Sequence, residues 1–212
     1  MTSPTIAWPK FKRDLIAILR GVRPDEVVAI GEQLVEAGIE IIEVPLNSPE
    51  PFRSIEQLAK SMPASVLVGA GTVLEPADVA RLNDSGGRLV ISPNVDRAVL
   101  EAAGKAGMVT MPGIFTPTEA FSALKAGASG LKFFPASVLG PDGLKAISAV
   151  LPKGTVIGAV GGVDETSFAA YAKIGVRTFG LGSSLYKPGA TAAAVGERAR
   201  TSVASYDAAF PA

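Results

Sequence analysis

The chain has 212 residues, 20 basic against 20 acidic, with 48% hydrophobic; that is enough for one large domain with a real core, and too evenly charged for a nucleic-acid or anionic-membrane surface. It has no cysteine and no histidine, which excludes disulfides and thiolate nucleophiles and removes the commonest general base and zinc ligand. No run approaches the ~20 apolar residues of a membrane span, and the opening MTSPTIAWPKFKRD lacks an apolar signal-peptide region, so the expectation is a soluble cytoplasmic protein whose acid–base chemistry falls to Glu, Asp, Lys or Tyr.

Along the chain, β-rich runs alternate with helix-like segments. LIAILRG from Leu15 is followed by PDEVVAIGEQLVEAG, EIIEVPLN from Glu40 by SPEPFRSIEQLAK, and SVLVGAG from Ser65 by EPADVARLNDSGG. RLVISP from Arg88 precedes NVDRAVLEAAGKAG, MVTMPG from Met108 precedes TPTEAFSALKAG, and GLKFFP from Gly130 precedes GPDGLKAISAVL. TVIGAVGG from Thr155 leads into VDETSFAAYAKIG, and RTFGLGS from Arg177 into an Ala-rich helix from about Thr191. Pro and capping residues open the helices, and Gly38, Gly107, Gly127 and Gly175 suit the left-handed residue that ends them. The helix–Gly–strand grammar returns every roughly 20–25 residues, the length of a short βα unit.

The strands are nearly continuous apolar runs, as in a parallel sheet covered on both faces. Eight such units predict an α/β fold: a compact (β/α)8 TIM barrel, one domain over residues 1–212, with a short N-terminal extension or helix. A doubly wound open sheet is the alternative, but LIAILRGVRPDE carries no G-x-G-x-x-G after the first strand. Trp8 and Phe11 are expected to plug the barrel bottom, and Tyr171 and Tyr186 to lie in the outer layer.

Barrel sites lie at the carboxyl ends of the strands. The polar and glycine positions there are Arg20, Glu43, Asn47, Thr72, Pro93, Asn94, Lys132, Gly161, Gly162, Gly182 and Ser183. Two of them are charged residues inside apolar strands, Lys132 in GLKFFP and Glu43 in IIEVPL. Facing into the barrel, desolvation would lower the lysine pKa and raise the glutamate pKa, each charge moderating the other. A lysine near neutrality attacks carbonyls, and a nearby carboxyl shuttles protons. A structural ion pair, or a lysine snorkelling from a strand end, would give the same pattern. Phe134 shares the Lys132 face and is expected to wall the site, while Leu131 and Phe133 face the helices.

GAVGGVDETS and FGLGSSLY end the last two strands in glycine just before a helix. Such loops let backbone N–H groups approach an anion and form the usual phosphate site of this fold, although tight βα turns also use glycine. In VGAGTVLEP, Gly69 and Gly71 are expected to make room at the mouth, and Thr72 either to donate a hydrogen bond there or to cap the third helix. Arg20 suits a substrate carboxylate, or a surface ion pair.

Taken together, AILRG, IEVPLNSP, VGAGTVL, ISPN, LKFFPAS, AVGGV and GLGSSLY resemble the 2-keto-3-deoxy-6-phosphogluconate and -galactonate aldolases, in order and spacing from about Leu15 to Tyr186. The resemblance implies a class I aldolase on a (β/α)8 barrel, a homotrimer, with no metal and no cofactor beyond a covalent lysine imine. It implies that Lys132 forms the Schiff base and Glu43 is the acid/base. Arg20 and Thr72 would approach the pyruvyl end, Pro93 and Phe134 line the pocket, and Gly161, Gly162, Gly182 and Ser183 hold the phosphate. Gluconate-type enzymes carry an arginine in a pattern like E-x-T-x-R and a threonine in P-T-G-G-V; here Asn47 and Val160 stand in those places. Both departures resemble the galactonate branch.

The implied partners are a phosphorylated keto-deoxy sugar acid and pyruvate. The expected reaction cleaves 2-dehydro-3-deoxy-6-phosphogalactonate to pyruvate and glyceraldehyde 3-phosphate. The gluconate epimer or 4-hydroxy-2-oxoglutarate is the alternative substrate. A phosphosugar isomerase or synthase, and a non-catalytic phosphosugar-binding protein, are rivals that would leave Lys132 unmodified.

Overall fold

The computed structural model describes residues 5–211. Among them, nine parallel strands alternate with eight helices. The strands are β1 (Leu15–Ile18), β2 (Ile41–Pro45), β3 (Leu67–Gly71), β4 (Leu89–Ile91), β5 (Val109–Met111), β6 (Gly113–Ile114), β7 (Leu131–Phe133), β8 (Ile157–Val160) and β9 (Thr178–Leu181). The helices are α1 (Val27–Ala37), α2 (Pro51–Ser61), α3 (Pro76–Asp84), α4 (Arg97–Lys105), α5 (Pro117–Lys125), α6 (Ala136–Ser148), α7 (Phe168–Ala172) and α8 (Ala192–Ala209). None of the described helices is long and apolar enough to cross a membrane.

The sheet runs β5-β4-β3-β2-β1-β9-β8-β7-β6. Its two edges, β5 and β6, are successive pieces of one chain segment joined at Pro112. The expected fifth strand is thus interrupted, and eight strands become nine, because proline has no N–H for the ladder. β6 pairs with β7, and the segment approaching β7 reaches β5: the Gly130 N–H, just before β7, donates to the Thr110 carbonyl (3.1 Å), and the Lys132 N–H donates to the carbonyl of the joint, Pro112 (2.9 Å). The result is the expected (β/α)8 architecture, a nearly closed barrel.

Period-two alternation builds two cores. Leu15, Ala17, Ile42, Val44, Val68, Ala70 and Val90 point outward and pack under the helices. Ile16, Ile41, Leu67, Leu89, Ile91, Val109 and Met111 point inward and form a separate apolar floor in the barrel. Ile6, Trp8 and Phe11 close that floor from below, and the Trp8 indole N–H donates to Asp14 Oδ1 at 3.2 Å. The described part of the N-terminal stretch is therefore an extension and not a helix; residues 1–4 of that expectation lie outside the described residues. Tyr171 and Tyr186 sit in the outer layer, their hydroxyls donating to the Ala136 carbonyl (3.2 Å) and to Glu26 Oε1 (2.9 Å).

The helix punctuation is as expected at most ends. Gly38, Gly107, Gly127 and Gly175 all have positive φ. Thr116 and Glu119 form a reciprocal capping box at α5, and the Thr191 hydroxyl caps α8. Three starts differ. α1 begins at Val27 rather than Pro24, after a turn, and its N-cap Glu26 makes no side-chain cap. α6 begins at Ala136 rather than Gly140: one turn forms first, Gly140 (φ 65°, ψ 172°) breaks it, and Pro141 starts the remainder. α7 begins only at Phe168, because Asp164 ties the preceding residues into a turn, accepting from the Thr166 N–H (3.0 Å) and the Ser167 hydroxyl (2.7 Å).

Candidate active site

The strand period that lays the apolar floor also sets what stands above it. Glu43 follows Ile41 by two residues on β2, and Ile18 follows Ile16 on β1. Lys132 on β7 is in register with Gly113 on one side and Gly158 on the other. These side chains enter one cavity of about 390 Å³ at the carboxyl ends of the strands, which also has Arg20, Thr72, Pro93, Phe134, Val160, Gly161, Gly162, Gly182 and Ser183 in its wall.

Glu43 and Lys132 are 3% and 7% exposed, and they are the two buried charged residues among those described. Burial pushes the Glu43 carboxyl up to about 7, although the charges of Lys132 and Arg20 pull it down. Burial likewise brings the Lys132 amine down to about 8; the Glu43 charge opposes that shift and Arg20 assists it. One carboxylate oxygen, Glu43 Oε2, is buried with no hydrogen-bond partner among the described residues. It occupies space that only glycine leaves: a Cβ on Gly71 would lie 1.3 Å from it. The Lys132 Nζ stands 5.0 Å from the centre of the Phe134 ring, a cation–π distance.

Arg20 lies just beyond β1, at the mouth. Its Nη1 donates to Asn47 Oδ1 (2.6 Å) and, at 3.5 Å, to Thr72 Oγ1. Thr72 itself is left-handed, with φ 56°, a conformation that β-branched residues rarely adopt. It is held there from both sides: the Gly71 carbonyl before it accepts from the Leu46 N–H (2.8 Å), and after it the Val73 N–H donates to the Ile91 carbonyl (3.2 Å) while the Ser92 hydroxyl donates to the Val73 carbonyl (2.7 Å). Thr72 does not cap α3, whose N-cap is Glu75.

On the opposite side, Gly161 and Gly162 are successive left-handed residues (φ 89° and 72°). A Cβ on Gly161 would press on the Phe134 ring at 3.1 Å, and one on Gly162 would lie 2.5 Å from Ser137 Oγ. The backbone N–H groups of Gly162 and Ser183 enter no backbone hydrogen bond among the described residues and border the cavity. They are donors available to an anion.

Eleven of the twelve site residues read from the sequence line this cavity. The twelfth, Asn47, does not, and touches Arg20 instead. Asn94 is also outside the lining. Gly69 makes no room at the mouth: a Cβ there would strike the Leu89 carbonyl oxygen at 2.0 Å, so it serves the approach of β3 to β4. Sequence reasoning passed over Ile18, Val163 and Gly180, which also line the wall. Ile18 and Gly180 were within reach of the period-two rule, lying two residues before Arg20 and Gly182.

Chemically, this is an amine of lowered basicity and a carboxyl of raised pKa in one apolar chamber, with a guanidinium on one rim and glycine-loop donors on the other. It can attack a carbonyl, move protons beside it, and hold anionic groups at two ends of an elongated molecule. Among the described residues, no group of three or more His, Cys, Asp or Glu is placed to hold a metal ion.

Comparison with known proteins points the same way. Residues 10–195 match the family described as "Aldolase: KDPG and KHG aldolase". A probable 2-dehydro-3-deoxy-6-phosphogalactonate aldolase of Rhizobium meliloti (strain 1021) is 60% identical over 205 residues, 97% of either chain. The 2-dehydro-3-deoxy-6-phosphogalactonate aldolase of Escherichia coli (strain K12) is 42% identical over 195 residues, 92% of this chain and 95% of that one. A solved structure described as native KDPGal superposes with a TM-score of 0.94 at 41% identity, covering 97% of this chain and all of the other.

Proposed function

The chain belongs to the KDPG and KHG aldolase family and is a carbon–carbon lyase, and from that premise we propose that it cleaves 2-dehydro-3-deoxy-6-phosphogalactonate to pyruvate and glyceraldehyde 3-phosphate through an imine on Lys132. The observation that carries the mechanism is the buried pair itself: Lys132 and Glu43 share one cavity, with the amine lowered to about 8 and the carboxyl raised to about 7.

Neutral Lys132 attacks the C2 ketone, and Glu43, through a water, moves the protons that turn the carbinolamine into a protonated imine with loss of water. The imine is the electron sink, so the reaction needs no metal. Glu43 takes the C4 hydroxyl proton, the C3–C4 bond breaks, its electrons form the enamine, and glyceraldehyde 3-phosphate departs. The enamine gains a proton at C3, and water hydrolyses the new imine to pyruvate and free Lys132. Arg20 pairs with the C1 carboxylate. Gly161, Gly162, Gly182 and Ser183 bind the phosphate, and that remote binding positions the reacting carbons. Val160 faces the chain with methyl groups where a threonine would offer a hydroxyl, which favours the galactonate configuration at C4; an unpaired polar group costs ~1–3 kcal/mol. On this reading residues 1–212 form one aldolase domain, working in the cytoplasm as a homotrimer.

Pyruvate with borohydride, read by mass spectrometry, tests the imine. The expected adduct sits on Lys132 and vanishes in Lys132→Ala; no adduct, or an equal adduct in that variant, rejects it. Parallel turnover of the two phosphorylated epimers tests the substrate, and a clear preference for the gluconate epimer rejects the galactonate assignment.

A further inference from the structure

We infer that Asn47 is a positioning residue: it fixes the Arg20 guanidinium so that one edge is presented to the substrate carboxylate, without touching the substrate. The inference rests on the proposed role of Arg20 and extends it to a residue outside the cavity.

The donor geometry of Arg20 carries the argument. A guanidinium has five N–H donors in a rigid fork, and a carboxylate is held best by two parallel donors on one edge. Here both protein contacts fall on a single nitrogen, Nη1, which faces Asn47 Oδ1 at 2.6 Å and Thr72 Oγ1 at 3.5 Å. Nε and Nη2 have no side-chain partner among the described residues. Spending Nη1 on two protein oxygens leaves the Nε–Nη2 edge as the free fork. Asn47 is exposed and does not line the cavity, so its effect on the substrate passes through Arg20.

A second tie shows that the contact belongs to a built arrangement. The next residues along both loops are joined as well: the Gly21 N–H donates to the Ser48 hydroxyl oxygen at 2.9 Å, and Ser48 is buried. Strand β1 is already bound to β2 here, with the Leu19 N–H on the Glu43 carbonyl at 3.0 Å. The loops after β1 and β2 are therefore latched at successive positions. An arginine at an open mouth would otherwise lose much side-chain freedom on binding a carboxylate; held beforehand, it loses less.

The test is a double-mutant cycle on pyruvate binding, read as the pyruvate concentration that half-saturates borohydride labelling of Lys132. Asn47→Ala and Asn47→Leu should each raise it severalfold, to about tenfold at most, the ordering cost of one long side chain, with plateau labelling and the thermal midpoint unchanged. Arg20→Ala should raise it further, and adding Asn47→Ala to Arg20→Ala should change nothing more. A further loss in the Arg20→Ala background would make Asn47 a direct substrate contact and overturn the inference, as would an unchanged half-saturation in both single variants. Failure of the imine reading is distinguishable, because the wild type would then carry no label on Lys132 at all.

Discussion

Gly71→Ala is the smallest change that attacks the proposed acid/base without altering it. Gly71 has no positive φ, so alanine fits the backbone, but its Cβ would fall 1.3 Å from Glu43 Oε2 and 2.5 Å from its carboxyl carbon. Ordinary contact begins at 3.4 Å, so the carboxylate must retreat by about 2 Å. A misplacement of 1 Å in a reacting group costs roughly a hundredfold, and kcat should therefore fall at least about a hundredfold, some 2.7 kcal/mol of transition-state stabilisation. KM should stay within about threefold, because Arg20 and the glycine loops are untouched. The carboxylate has an open cavity to move into, so the fold should survive. Pyruvate release coupled to lactate dehydrogenase gives the rates, and thermal unfolding checks the fold. Adding Glu43→Asp, one methylene shorter, should recover part of the loss, and Gly71→Ala placed in Glu43→Gln should lower kcat little further. A folded Gly71→Ala enzyme with kcat within threefold of wild type would refute the role given to Glu43.

Imine formation with pyruvate should rise with pH through about 8 and then level, because Lys132 must be neutral to attack and its pKa lies near 8 instead of 10.5; a limb near 10 in the labelling rate would contradict this. Glu43→Gln removes the anion that supports the ammonium, so the same limb should move to lower pH. The shift has a stability side with a definite sign. Between about 8 and 10.5 the unfolded chain holds the proton that folded Lys132 has released, so wild type gains stability across that window relative to Lys132→Met, by about 3 kcal/mol. Denaturant unfolding at pH 7 and pH 10.5 measures the difference; an equal gap at both pH values would reject it. Thr72→Gly should relieve the left-handed strain at φ 56°, raising the thermal midpoint by about 2–4 °C, roughly 1 kcal/mol, while loss of the hydroxyl facing Arg20 should raise the pyruvate half-saturation. A lower midpoint would show that Thr72 is not strained.

The charged pair was legible because its oddness is compositional: Lys132 and Glu43 are the charges in runs that otherwise read as buried strand. The barrel was legible because helix, glycine and strand repeat with little variation. What escaped the sequence depends on backbone geometry or on closure between loops. MVTMPG reads as a strand ending at proline, whereas the chain continues for one more short strand, Gly113–Ile114, held by its neighbours. The turn Ala136–Leu139 lies just before Gly140–Pro141, and that pair reads as the true helix start. The conformation of Thr72 has no sequence mark, since nothing in GAGTV distinguishes a left-handed threonine from an extended one. Asn47 stands where strand-end reasoning places a substrate contact, and only the approach of the β1 and β2 loops turns it toward Arg20.

The floor beneath the site leaves the lysine open from one direction. Gly130 precedes Lys132 by two residues on the same strand face, and Gly158 is its register partner on β8. Side chains at these positions would meet Met111: a Cβ on Gly130 would lie 2.9 Å from its Cε, and one on Gly158 3.2 Å from its Sδ. Met111 thus takes the volume that the two glycines leave open under the lysine, and Met111 itself is fully buried. Water is excluded from below, and desolvation is the largest cause of the lowered amine pKa. On its other side stand the Phe134 ring and the cavity, so the amine is approached from the cavity. The sulfur and glycines below favour desolvation of the amine, and the charge of Glu43 in the same cavity opposes it.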